Sequence, residues 1–304
     1  MSTTTDDLSV EKYRLQSRRG LTVDENAKPF LRQLMKLNER RFLLYLGCHV
    51  AVWIFAATAI VQIDNLAFQI VLSIILGNQL HAFTVLQHEC IHGTAFKAKN
   101  INYWLGVILA WFIIMPYTTF KECHLCHHRY LGDTCKDPDE WNYGGGTVLS
   151  MLLRIMTFVP RFVFISTTRY GNLVAKRVLV ELLTNIITWL LLGVTLIYTG
   201  HGAEFFLIFV LPLLILAVVI NPASRGYEHF PLVYMKQDDQ FLRADIAKST
   251  VSVTHPVFSI LWANINYHVE HHVYPGVPFY NLPALSKLMN SKNYLRRRFI
   301  FEKI

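Results

Sequence analysis

Charge is sparse in this 304-residue chain. Asp, Glu, Lys and Arg make up 16% of it and hydrophobic residues 53%, against about 25% charged in an ordinary soluble domain. That deficit excludes a wholly solvated exterior and puts membrane insertion first. Cysteine is equally uninformative as a scaffold: Cys48, Cys90, Cys123, Cys126 and Cys135 are odd in number and scattered, so reduced thiols in a reducing compartment are expected rather than a disulfide framework. There is no Gly/Ser-rich linker, no low-complexity tract and no repeat with a period of about twenty to fifty residues, which reads as one domain. Residues 1–41 place charges ahead of any long apolar run, unlike a cleaved secretory signal. No glycine-rich nucleotide-binding motif is present.

Four long apolar runs are present. Residues 42–63 form a run of about twenty residues, enough at 1.5 Å per residue to cross a hydrocarbon core of about 30 Å. A second, residues 66–86, follows after only Asp64 and Asn65, and so tight a link makes a hairpin. Residues 178–199 and 205–220 make a second hairpin around a short loop at 200–204. Lys and Arg are missing from both hairpin tips, so by the positive-inside rule both termini face the cytosol. The formal charge of +8 gathers in the first 41 residues, with nine Lys or Arg, and around Arg296, Arg297 and Arg298. Lipid head groups and the positive-inside rule account for these better than nucleic acid does. Two shorter stretches, 103–116 and 151–165, are broken by proline or arginine and fit interfacial or re-entrant helices.

Eight of the thirteen histidines fall into three clusters, His88/His92, His124/His127/His128 and His268/His271/His272, each beside an apolar segment. Residues three and four apart lie on one helical face, so each cluster is expected to aim its imidazoles at a common point. Keeping all three on the cytosolic side requires an even number of crossings between them. Neutral imidazole suits iron, copper, zinc and nickel. A structural zinc takes four N or S ligands and a catalytic zinc three, so eight histidines exceed one zinc site and fit two metals with open positions, for which iron is the natural choice. His49, His201 and His255 read as ordinary polar residues. Cys123 and Cys126 form a lone CxxC within a segment the histidines already explain.

The arrangement resembles the integral-membrane di-iron fatty acid desaturases and hydroxylases, the bacterial-type members more than the acyl-CoA enzymes. The likeness covers roughly residues 42–288: a first box, His88 to His92, after a hairpin, then two His-x-x-His-His boxes on either side of a second hairpin. Arg129 and Tyr130, Asp137 to Asp139, Asn264 to Tyr267 and Tyr274 to Pro278 also look like the family. The resemblance implies an all-α integral membrane protein with two transmembrane helical hairpins (four spans), interfacial helices and a cytosolic histidine-rich di-iron cap. Residues 1–41 would be a basic cytosolic region, 42–288 the desaturase-like domain and 289–304 a basic tail. It implies two Fe ions, ferrous when reduced, held by His88, His92, His124, His127, His128, His229, His268, His271 and His272, with O2 as co-substrate. His229 is favoured as the ninth ligand over His255, which precedes Pro256. His81 shares the face of His88 but lies deeper, and reads either as a cavity-lining residue or as a ligand. Asn264 would hold a metal-bound water or a structural hydrogen bond. Glu89, Asp133, Asp137, Asp139, Glu228 and Glu270 could orient the histidines from outside.

The implied reaction is O2-dependent desaturation or hydroxylation of an unactivated C–H site in a lipid or acyl chain, in the bacterial inner membrane or the endoplasmic reticulum. A separate electron donor, cytochrome b5 or ferredoxin with a reductase, is implied, since the chain carries no His-Pro-Gly-Gly haem motif. Oxidation of a non-acyl substrate such as a carotenoid is an alternative. Residues 88–92 also satisfy HExxH, with Glu89 as general base of a membrane zinc metalloprotease, but that reading leaves five other clustered histidines unexplained. A metal transporter fits poorly, because transport sites lie near the bilayer midplane.

Overall fold

The computed structural model describes residues 5–144, 146–289 and 295–297. Arg298 and most of the basic tail lie outside them. The chain forms two compact units. One comprises residues 37–122 and 159–223, the other residues 1–36, 123–158 and 224–304.

The first unit holds the apolar helices α3 (Glu39–Gln62) and α4 (Leu66–His92), then α5 (Lys99–Ile113), most of α9 (Phe158–Arg169), α10 (Asn172–Tyr198) and most of α11 (Gly202–Glu228). Helices α3, α4, α10 and α11 are each long and apolar enough to span a bilayer. Only 11% of the most apolar window of α3 is buried, so its Leu44, Phe55 and Val61 are left for a hydrocarbon environment. Asn38 accepts the Arg41 N–H to start α3. The turn between α3 and α4 is made by side chains: Asn65 accepts the Phe68 N–H to start α4, and the Gln69 amide donates to the Ile60 and Ile63 carbonyls at 3.0 Å each. These contacts satisfy backbone groups that a helix end leaves orphaned. Ala56 and Ile60 of α3 then pack on Leu72 and Leu76 of α4 and on Leu207 and Ile208 of α11.

Helix α11 contains two π-helical stretches, Phe206–Val210 and Leu216–Ile220. In the first, the Leu211 N–H bonds to the Phe206 carbonyl. The same register would give the Leu207 carbonyl to Pro212, which has no N–H to donate. Ser73 of α4 supplies the missing donor, its hydroxyl lying 2.7 Å from the Leu207 oxygen. Replacing Ser73 by Ala is expected to lower stability by about 1 kcal/mol while Ser73→Thr retains it, read as thermal unfolding in detergent; equal melting temperatures for Ala and wild type would rule the contact out as a stabiliser.

Helices α5 and α6 (Tyr117–Tyr130) meet at 103°. Ile114 takes the left-handed conformation (φ 51) at the corner, and a Cβ on Gly106 would come within 2.3 Å of the Tyr117 ring, so only glycine admits that packing. The buried carboxylate of Glu181 in α10 accepts the Thr118 N–H at 2.8 Å and its hydroxyl at 2.6 Å, capping the first turn of α6. The second broken pair is α8 (Val148–Met156) and α9. Both breaks fall in the stretches that the sequence marks as interrupted.

The second unit contains α1 (Thr5–Gly20), α2 (Lys28–Leu34), the C-terminal half of α6, α7 (Glu140–Tyr143), α8, α12 (Gln240–Arg243), α13 (Ile246–Ser249), α14 (Pro256–Leu261), α15 (His268–Val273) and α16 (Leu282–Leu288). Tyr143, Met151, Ile155, Leu232 and Val233 form a small core there. The all-α expectation needs one correction. Strand β1 (Val251–Val253) pairs in parallel with β2 (Leu295–Arg297), Val251 facing Leu295. The β-branched Val251 and Val253 are fully buried, which favours an extended segment over a helix.

Candidate metal centre

The two His-x-x-His-His boxes lie on α6 and α15 and do not each point at one place. Successive helical residues are about 100° apart, so His127 and His128 diverge, as do His271 and His272. The expectation that each cluster converges on its own point is corrected accordingly, and the boxes exchange members. His127 of α6 meets His268 and His272 of α15 together with His229, all four buried and with ligand nitrogens within 4.8 Å of one another. Nε2 to Nε2 distances are 3.0 Å for His127–His229, 3.2 Å for His268–His229 and 3.1 Å for His272–His268. In turn His124 and His128 of α6 meet His271 of α15, with Nε2 separations of 3.0 Å for His128–His124 and 2.9 Å for His271–His128. His88 and His92 sit side by side on the last turn of α4, ring centroids 4.6 Å apart.

The outward nitrogens fix the tautomers. His127 Nδ1 donates to Asp137 at 2.9 and 3.1 Å, and Asp137 is itself held by the N–H groups of Gly132 and Asp139, each at 2.9 Å. Gly132 has φ +75, and a Cβ there would stand 2.2 Å from the Arg243 carbonyl oxygen, so no other residue fits the loop. His229 Nδ1 lies 3.3 Å from the Ser249 carbonyl, which can only accept, so the proton is on Nδ1 and the Nε2 lone pair faces inward. Burial, reinforced by neighbouring histidines, pushes the pKa of His229 and of His272 well below the usual value. Both rings stay neutral, the form a metal requires. Adjacent nitrogen donors around one cation bound at about 2.1 Å lie about 3 Å apart, which is the spacing of these lone pairs. The residues present fit a metal.

Of the carboxylates singled out in the sequence, Asp137 orients His127. Asp139 accepts from Arg225 at 2.9 Å and stands 3.7 Å from His127 Nδ1. Glu228 is 3.8 Å from His268 Nε2, and Glu89 pairs with His88 Nδ1 at 3.3 Å and with the Thr94 hydroxyl at 2.6 Å. Glu270 accepts from Ser252 and Ser286, tying α15 to β1 and α16. Asp133 instead shapes a turn by accepting the Cys135 and Lys136 N–H groups. Asn264 takes a left-handed conformation (φ 62), and its carbonyl accepts the Tyr267 N–H. His255 starts α14, its Nδ1 accepting the Val257 N–H at 3.3 Å. Among the described residues neither converging histidine group contains a cysteine. Ser249, Thr250, Arg225 and Tyr143 were not legible as site residues, although Thr250 Oγ1 is 3.2 Å from His229 Nδ1 and the Tyr143 ring lies 5.5 Å from the His229 ring. Their sole signal in sequence was nearness of Arg225 to Glu228 and His229.

Long apolar helices and two sets of converging imidazoles, one of them wholly buried, define a helical membrane protein with a histidine-rich centre. The chain belongs to the fatty acid desaturase family, whose model ("Fatty acid desaturase") matches residues 64–301. It is 28% identical over 213 residues to a bovine (Bos taurus) sphingolipid delta(4)-desaturase/C4-monooxygenase, covering 68% of this chain and 61% of that protein. It is 26% identical over 262 residues to a mouse (Mus musculus) sphingolipid delta(4)-desaturase, covering 79% and 74%. To an endoplasmic reticulum omega-3 fatty acid desaturase of Nicotiana tabacum it is 25% identical over 263 residues, covering 77% and 69%. The chain thus spans about three fifths of the length of the bovine relative. The HExxH protease reading gains no support from Glu89, whose two oxygens are engaged by His88 and Thr94.

Proposed function

We propose that this chain is an O2-dependent di-iron oxidoreductase that desaturates, with hydroxylation as the competing outcome, an unactivated position in a fatty acyl or sphingoid chain. The observation carrying the reading is the exchange of imidazoles between α6 and α15, which yields two separate inward-facing donor sets. His127, His229, His268 and His272 would hold one iron. His124, His128 and His271 would hold the other, and the family resemblance implies His88 and His92 of α4 as further ligands. Iron so bound supplies the oxidising capacity of O2 once two electrons are delivered, so that a CH2–CH2 unit, O2, two electrons and two protons give an alkene and two waters. Asp137 and the Ser249 carbonyl keep the ligand tautomers fixed and Nε2 deprotonated. Apolar spans position the substrate carbon and exclude water.

The proposed topology has four spans in two hairpins, α3/α4 and α10/α11, with the broken pairs α5/α6 and α8/α9 at the interface. Both termini and the centre then face the cytosol, where a cytochrome b5 or ferredoxin with its reductase delivers electrons. The names of the relatives favour a sphingolipid or fatty acyl substrate, and "C4-monooxygenase" keeps hydroxylation as the second outcome.

Purified chain should carry about two irons, and lipid profiling of cells with and without it should show a product lighter by two hydrogens, or heavier by one oxygen for hydroxylation. One zinc per chain and unchanged lipids would overturn the proposal. Within it, Asp137→Asn is expected to weaken iron binding about 10- to 100-fold, measured by chelator competition, because an amide cannot accept the Gly132 and Asp139 N–H groups and the His127 proton together. Wild-type affinity would remove Asp137 from the supporting shell.

A further inference from the structure

Two arginines of α1 reach the far ends of both box-bearing helices. Arg14, buried, donates through Nη1 to the Arg129 carbonyl and through Nη2 to the Leu131 carbonyl, both at 3.3 Å, at the C-terminal end of α6. One turn later, Arg18 donates through Nε and Nη2 to the carbonyl of Val273, the last residue of α15, at 3.0 and 2.7 Å. The spacing of four residues puts both guanidinium groups on one face of α1. Helix C-terminal carbonyls lack intrahelical partners and carry partial negative charge, and the planar guanidinium fork suits them better than an ammonium does. Helix α1 is itself anchored: the Ser17 hydroxyl donates to Asp245 at 2.6 Å and accepts the Ile246 N–H at 3.1 Å, and the Val23 N–H donates to the Tyr274 hydroxyl at 2.9 Å. Attraction to lipid head groups, which accounts for an exposed basic segment, does not describe cations engaged by protein carbonyls.

We propose that Arg14 and Arg18 are positioning residues of the metal centre, and that α1 is a strap holding α6 in register with α15. The inference rests on the metal-centre reading above. Its physical basis is the exchange of ligands: each box contributes to both sets, so a slip of one helix against the other opens both sets at once. Donors must be held to within about 0.5 Å of their working positions, a tolerance that short helices such as α15, six residues long, cannot keep alone.

The test uses the full chain in detergent, iron-loaded, comparing wild type with Arg14→Ala/Arg18→Ala, Arg18→Lys and the exposed control Arg19→Ala. Iron loss to a ferrous chelator and hydrogen exchange in peptides 123–131 and 268–274 are measured together. The double variant is expected to lose iron about 10-fold faster with faster exchange in both peptides. Arg18→Lys should fall between it and wild type, and Arg19→Ala should match wild type. If the double variant does not fold, Arg18→Lys carries the same comparison. Wild-type iron loss in the double variant, an equal effect from Arg19→Ala, or exchange rising evenly along the chain with a lower melting temperature would each overturn the strap. Absence of iron from the wild type would refute the metal-centre reading instead, and exchange would then decide the strap alone: a paired rise upholds it, and no paired rise overturns it.

Discussion

On the proposed di-iron reading, His272→Ala is expected to leave a folded protein that has lost iron from one of the two proposed sites and more than about 100-fold of its turnover. The lower bound comes from residues that merely support a ligand, whose loss already costs about 10- to 100-fold; removal of the donor itself must exceed it. His272 is buried, its Nε2 is 3.1 Å from that of His268, and its ring packs 4.9 Å from that of His229 and 4.3 Å from that of His128. Burial and neighbouring histidines oppose its protonation, so the native ring offers a lone pair to a cation rather than a charge to an ion pair. Folding therefore survives the substitution better than metal binding does. His255→Ala is the control, since His255 caps the first turn of α14, a cap whose loss costs about 1 kcal/mol. The check is iron per chain beside product formed; full iron and full turnover in His272→Ala would remove the third box from the centre.

Arg243→Met should produce the largest loss of stability, about 3 to 5 kcal/mol, the usual cost of removing one partner from a buried ion pair. Arg243 is fully buried, donates to the Glu140 carboxylate, and also donates to the carbonyls of Gly132, Met235 and Leu232 at 3.1, 3.1 and 3.3 Å. Its loss strands the Glu140 charge and frees the Gly132 loop whose N–H holds Asp137. The added substitution Glu140→Leu should recover part of the loss, because replacing both members of such a pair removes the stranded charge. Thermal unfolding of the three proteins decides; an unaltered melting temperature in Arg243→Met would show that the pair contributes nothing net.

The helices of this chain were legible wherever a local rule governs them. The apolar runs 42–63, 66–86, 178–199 and 205–220 correspond to α3, α4, α10 and α11. Their ends were less legible, because a helix does not stop where hydrophobicity stops: α4 continues to His92, and α11 passes Ile220 and Pro222 to reach Glu228. Pro222 is tolerated there because the preceding stretch is already in π register. Strand β1 was missed, since a three-residue strand exists only through its pairing with β2, more than forty residues away.

At the site, the sequence by itself determined which histidines belong together as a class, since spacings of three and four residues are a local consequence of helix geometry. It also singled out Asp137, which does support His127, and set His255 aside as a loop residue, where it now caps α14. Only the tertiary structure decided how the histidines divide. Helix phase shows that His127 and His128 point apart, but not that His229, His268 and His272 wait for one and His271 for the other. The same holds for Arg14 and Arg18, which in sequence are two more basic residues of an N-terminal segment. Their partners are backbone carbonyls, which every residue possesses, so nothing in the residue pattern marks them; the meeting is set by where three helices end in space.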